Sequence, residues 1–147
     1  MGNICERLSR REFACSDGCG MMDPNPFLVV GLHEFCEHAR GLYREIVYIA
    51  LTGPGRCPAK LDRMVAADQC KLTTQHGIKE NGYYNGSDVY LYVVKNGEKI
   101  VLPLSQQLQL AIKVCWFRIG GIGVYVDVDG PRLHLDVRNM TGGGMPA

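Results

Sequence analysis

The chain has 147 residues, 46% of them hydrophobic and 21% charged, with a formal net charge of +1. That length suits one domain, in which about 68–70% of the unfolded surface is buried, and the near-neutral charge argues against nucleic acid as a partner, no basic run exceeding Arg10–Arg11. The longest apolar stretches, "FLVVGL" and "IVYIAL", fall far short of the roughly 20 residues of a membrane span, and "MGNICERLSRREF" lacks the apolar core of a secretory signal.

Residues 1–24, polar and glycine-containing, read as an irregular lead-in to a single domain over 1–147. Glu6 stands where an N-myristoylation start wants Ser or Thr. Asn25 and Pro26 read as a helix start, with proline at the first helical position. From there Leu28, Leu32, Phe35, Cys36, Ala39 and Leu42 recur at helical spacing, which predicts a helix to about Tyr43. "EIVYIALT" (45–52) is β-branched, aromatic and nearly all apolar, as a buried strand would be. "GPGRCP" breaks it, and a short helix is expected from Ala59 to Ala67.

Residues 70–87 contain "HGIKENGYYNGS", rich in Gly and Asn, and read as a loop on which Tyr83 and Tyr84 are either a substrate wall or solvent-exposed side chains. "DVYLYVV" and "EKIVL", joined by "KNG", form a hairpin signature, since Asn-Gly readily takes positive φ. Ser105 is placed to cap a helix carrying Leu108, Ala111, Ile112, Cys115 and Ile119, which "GGIG" ends. "VYVDV" and "LHLDVR" flank "DGP" as a second hairpin. The order of elements predicts an α+β domain, a small antiparallel sheet with helices packed on it.

Seven cysteines (Cys5, Cys15, Cys19, Cys36, Cys57, Cys70 and Cys115) in a chain without a signal read as free thiols, mostly small buried hydrophobes. Cys15 and Cys19 make one close pair, with no second pair to complete four zinc ligands. His33 and His38 lie five positions apart on the first helix, about 140° around it, and suit surface or packing roles. His76 and His134 differ, each standing at the edge of a regular element beside carboxylates.

A catalytic zinc site takes about three protein ligands and leaves one position to water. His76, Asp88 and His134 supply such a set if the two hairpins are neighbours in one sheet. In "GPRLHLDVR" the alternation puts His134, Asp136 and Arg138 on one strand face, with Asp136 in range either to support a ligand from behind or to transfer protons at that site. Spacing alone leaves open the other reading, a solvated strand face with a satisfied histidine.

A resemblance bears on that choice. "LSRREFACSDGCG" (8–20), "TGPGRCP" (52–58), "TTQH" (73–76), "GIGVY" (121–125) and "HLDVR" (134–138) occur in this order over almost the whole chain. Together they resemble the small zinc peptidases related to D-alanyl-D-alanine carboxypeptidases, with the hedgehog/DD-peptidase fold. The resemblance implies zinc ligands at His76, Asp88 and His134, and Arg56 as the grip on a substrate carboxylate, a task suited to its planar fork of donors. It implies Gln75 as a donor to a developing oxyanion, with Asp136 as general base and Asp129 in reserve. Asp88 comes twelve residues after His76, farther than in the family, so the loop carries an insertion; Glu80 is the alternative ligand. The turn before Arg56 is longer too, with Pro54 in place of an aromatic residue.

The expected activity is hydrolysis of a peptide bond in the bacterial peptidoglycan stem peptide, as carboxypeptidase or endopeptidase, with no nucleic-acid or membrane partner. Cytoplasmic synthesis followed by later access to the cell wall fits a phage or prophage product. The alternative is a binding or structural protein on the same fold that has lost its chemistry.

Overall fold

The structure is a computed structural model, and it describes residues 13, 24–43, 45–53, 56, 58–69, 74–77, 79, 83–127 and 130–140. Cys5, Cys15, Cys19, Cys57, Cys70, Pro54, Glu80 and Asp129 lie outside the described residues, as does nearly all of the lead-in. Among the described residues the architecture is α+β: an antiparallel sheet with three α-helices. Among the described residues, no helix is long and apolar enough to cross a membrane.

Helix α1 runs Pro26–Leu42. Asn25 Oδ1 accepts the Phe27 N–H at 2.9 Å, satisfying one of the orphan donors of the first turn. Leu28, Leu32, Phe35, Cys36 and Ala39 form its buried stripe, and burying a Leu or Phe side chain in full stabilises the fold by about 1.5–3 kcal/mol.

Strand β1 (Tyr48–Gly53) pairs only with β2 (Gly86–Lys95) among the described residues. The expectation of a strand buried on both faces is therefore corrected: as an edge strand it alternates, with Ile49 buried and Tyr48 exposed. Between β1 and β2 lies helix α2 (Pro58–Ala66). Strand β3 (Glu98–Val101) returns from β2 through Asn96 and Gly97, with φ of 52° and 80°, the two positive angles of a type I′ turn.

Helix α3 spans Leu104–Lys113. Ser105 falls inside the first turn, not at its cap, because Pro103 occupies the N-cap. The helix also stops short of the expected Cys115 and Ile119. Cys115 turns left-handed at φ 59° and Trp116–Arg118 form a 3-10 turn. That break drops Trp116 into the core, where it is 1% exposed, meets Phe35 edge-on and donates its indole N–H to the Asp136 carbonyl at 2.9 Å. Burial of the indole offsets the roughly 1–2 kcal/mol of the left-handed residue.

Strand β4 (Ile122–Asp127) and strand β5 (Gly130–Asp136) form the second hairpin. The sheet order is β1-β2-β5-β4, with β3 also on β2, so β2 is the hub of the sheet. β5 takes the first part of β2 (Gly86–Val89) and β3 the last (Tyr92–Lys95). Between those two partners the ladder is patched by buried Gln107 of α3, which accepts the Leu91 N–H at 3.1 Å and donates to the Leu102 carbonyl at 2.7 Å.

One face of the sheet, with Val89, Leu91, Leu133 and Leu135, shares the core with α1 and α3. Gly86, Asp88, His134 and Asp136 occupy the other face.

Candidate metal centre

Register places the site. Asp88 of β2 is directly opposite His134 of β5, and His134 is opposite Gly123 of β4. His76 arrives from the loop before β2, and that loop is held to the strand by backbone bonds: the Gln75 carbonyl accepts the N–H groups of Asn85 and Gly86, both at 2.9 Å. A buried polar clasp anchors the same corner, Asn25 Nδ2 donating to Asn85 Oδ1 at 3.0 Å and to the Met140 carbonyl at 3.2 Å.

The three side chains converge. Asp88 Oδ1 lies 3.4 Å from His76 Nε2 and 3.2 Å from His134 Nδ1, and the ligand atoms of the trio all lie within 4.8 Å of one another. Ligand atoms at the corners of a tetrahedron with bonds of about 2.1 Å stand about 3.4 Å apart. Two imidazoles and a carboxylate at this spacing can hold a metal ion and leave a fourth position open. His76 is 2% and Asp88 8% exposed, so a bound ion would sit at the inner end of the face.

Behind His134 stands Asp136. Its Oδ2 is 2.9 Å from His134 Nε2, so Nε2–H donates to the carboxylate and Nδ1 is the nitrogen turned to the trio. Arg138 Nε and Nη2 donate to the two oxygens of Asp136 at 2.8 and 2.6 Å, and the backbone N–H groups of Gly121 and Arg138 reach Oδ1 at 2.9 and 3.1 Å. Burial pulls the Asp136 carboxyl upward, but the Arg138 guanidinium and these donors hold it well below the usual carboxylate range. A carboxylate with a fully buried side chain, engaged at both oxygens, does not fit a general base that trades protons with a substrate. The geometry gives Asp136 the work of orienting His134.

His134 lies between two carboxylates, Asp88 at Nδ1 and Asp136 at Nε2. Burial lowers its pKa, but hydrogen bonds to Asp136 and Asp88 outweigh that and push it up to about 9. Burial likewise pulls Asp88 upward, yet the bonds from His134 and His76 hold its carboxyl far below the usual value. A proton on His134 therefore occupies the place a metal ion would take.

Glycines make the packing possible. A Cβ on Gly86 would come 2.8 Å from His134 Cε1 and 3.0 Å from Gln75 Cβ, and one on Gly121 would come 2.7 Å from Asp136 Oδ2. "GGIG" is thus more than a helix end: it lets the chain run against the strand that carries the site.

The remaining expected residues are placed as follows. The Arg56 N–H donates to the His76 carbonyl at 2.7 Å, which ties the arginine's backbone to the metal-site loop. Gln75 Oε1 accepts from Asn85 Nδ2 at 3.3 Å. Tyr84 is neither substrate wall nor surface residue: it is fully buried, and its hydroxyl donates to the Phe13 carbonyl at 2.6 Å. His33 and His38 take no part in the trio.

Sequence reasoning passed over two side chains beside the trio. Tyr125 of β4 hydrogen-bonds Asp88, and burial with the Asp88 charge holds its phenol above the usual pKa, as a donor. Arg132 of β5 lies with its guanidinium carbon 4.8 Å from the Tyr125 ring centroid. Both were within reach of the pattern: Arg132 shares the alternation of His134 and Asp136, and the hairpin register pairs it with Tyr125.

No family model, curated protein or solved structure matches this chain.

Proposed function

We propose that the chain is a zinc-dependent peptidase of the bacterial peptidoglycan stem peptide, carboxypeptidase or endopeptidase, on a hedgehog/DD-peptidase-like fold. One observation carries the reading: His76, Asp88 and His134 bring one ligand atom each within 4.8 Å of the others, with Asp136 hydrogen-bonded to the far nitrogen of His134. Zinc held there would supply a Lewis acid and an activated water. Arg56 grips a carboxylate of the peptide. Gln75, its oxygen occupied by Asn85, keeps its amide N–H groups for a carbonyl oxygen that gains charge. Asp136 keeps His134 in register, and Asp129 takes over as proton acceptor. A catalytically degenerate binding protein on the same fold is the second reading. It is favoured by the full engagement of Asp136, which removes the first-choice base.

Metal content by mass spectrometry, on protein prepared without chelators, tests the site: near-stoichiometric zinc is expected in the wild type and loss of it in His134→Ala and Asp88→Ala. A metal-free wild type overturns the peptidase. Release of peptide fragments from purified peptidoglycan then separates the two readings. A zinc-loaded protein that releases none, and whose Asp129→Asn variant behaves identically, is the binding protein.

A further inference from the structure

Among the described residues, β1, β3 and β4 each keep one long edge without a neighbouring strand. Two of these edges are blunted. β1 carries a bulge between Leu51 and Gly53, and β3 is four residues long with Glu98 and Lys99 exposed, devices that keep a sheet edge from pairing with another chain. β4 has neither. It pairs with β5 over its six residues without a bulge, Ile122 to Val126 carry no charge, and Val124 and Val126 are 50% and 80% exposed.

Register says which backbone groups face outward. The Asp136 N–H donates to the Gly121 carbonyl at 3.1 Å, so Gly121 and Asp136 form a hydrogen-bonded rung. By alternation Gly123–His134 and Tyr125–Arg132 are hydrogen-bonded rungs too. Ile122, Val124 and Val126 fall between them, and their N–H and C=O groups point away from β5. Among the described residues no other backbone group bonds to them.

The edge is complementary to itself. A two-fold axis at Val124 sets it against the partner's Val124, and sets Ile122 against the partner's Val126. Each such rung exchanges two N–H···O bonds between β-branched apolar residues. On the open face Tyr125 meets the partner's Gly123. Glycine there suits the site, since a Cβ would come 3.3 Å from His134 Cβ, and an aromatic side chain across the strand covers the bare backbone. Asp127 meets the partner's Gly121, so like charges do not face each other. An axis at Gly123 or Tyr125 forms fewer rungs, and the second sets Tyr125 against its own copy.

We propose that the occupant of this edge is a second copy of the chain: an isologous dimer in which the two β4 strands pair antiparallel about Val124 and join the two sheets into one. Paired residues share a face, so both metal trios open to the same side. The dimer does not depend on the peptidase reading.

Sedimentation equilibrium of the full chain over the micromolar range tests it, with Val124→Lys, Val124→Glu and, as a control, Val94→Lys, that valine being 49% exposed on β2. The wild type and Val94→Lys are expected to be dimers. Val124→Lys and Val124→Glu are expected to be monomers, because the axis sets each new charge against its own copy, and an equimolar mixture of the two dimerises again. Hydrogen exchange reads the edge itself: the Ile122 and Val126 amides should exchange at least about tenfold more slowly in the wild type than in Val124→Lys. Val124→Pro takes the place of a charged variant that fails to fold, since the Val124 N–H lies outside the β5 ladder. A monomeric wild type overturns the dimer and leaves the edge to an extended peptide of another protein. A dimer that survives Val124→Lys or Val124→Pro, or is lost in Val94→Lys, overturns the assignment to β4. A mixture of the Lys and Glu variants that stays monomeric overturns the axis at Val124.

Discussion

At Gly86 a single hydrogen atom decides whether the site closes. A methyl group there would press on His134 Cε1 and the Gln75 stem, and relief would push the imidazole off the trio. Gly86→Ala is expected to lower zinc affinity at least about tenfold, with a stability loss of about 1–3 kcal/mol typical of overpacking. Competition with a chromogenic chelator reads the first and urea unfolding the second. Asp136→Asn, which keeps the shape and removes the charge, is expected to weaken zinc binding by about 10–100-fold, as loss of a carboxylate behind a histidine ligand does; unchanged affinity would show that His134 needs no such partner.

His134 also sets a pH dependence. In the metal-free protein its pKa is raised to about 9, so its stabilising effect is complete below the unfolded value of about 6.5 and is lost as pH rises through about 9. Asp88 and Asp136 are shifted the other way. Their contribution is present above the unfolded carboxylate range and is lost as pH falls below it. The melting temperature of metal-free protein should therefore hold a plateau near neutrality and fall on both sides. If zinc binds as proposed it would replace the His134 proton, so binding at pH 7 should release about one proton. Calorimetry in two buffers of different ionisation heat measures it, and zero release would contradict the raised pKa.

Among the elements, β2 carries the most consequence, since β1, β3 and β5 all pair with it. Its weak point is the gap between β3 and β5, where Gln107 satisfies the Leu91 N–H. Gln107→Leu leaves that buried donor unpaired and is expected to cost about 1–3 kcal/mol in urea unfolding. Asn25 joins two elements: it caps α1 and clasps Asn85, next to the loop that delivers His76. Alanine there removes a cap worth about 1 kcal/mol and loosens the corner, so zinc affinity should fall along with stability. The strand and helix periods of β2, β5 and α1 were plain in the sequence, because one face of each is apolar. The end of α3 was not, because the reason for the break at Cys115 is the place waiting for Trp116 beside Gly31 and Phe35, far off in the chain.

For the whole molecule, the proposed metal site would couple metal to fold: the trio joins a loop to two strands, so an ion that binds only the folded chain would stabilise all of it. Zinc at a hundredfold excess over its dissociation constant should add about 2.7 kcal/mol. The melting temperature should rise with zinc and fall back with a chelator, in wild type but not in His134→Ala.

The alternation of "RLHLDVR", the Asn-Gly turn and the helical stripe from Leu28 to Ala39 determined the α+β class and put His134 and Asp136 on one strand face, because side-chain period is a local property of the backbone. What each does was decided in three dimensions. Only the register of β2 on β5 brings Asp88 to His134 across the loop after His76. The sequence left Asp136 either role, proton carrier or support behind His134, and only the bidentate hold of Arg138 favours the second. Distance along the chain carries no information about such meetings; the packing of the two hairpins does.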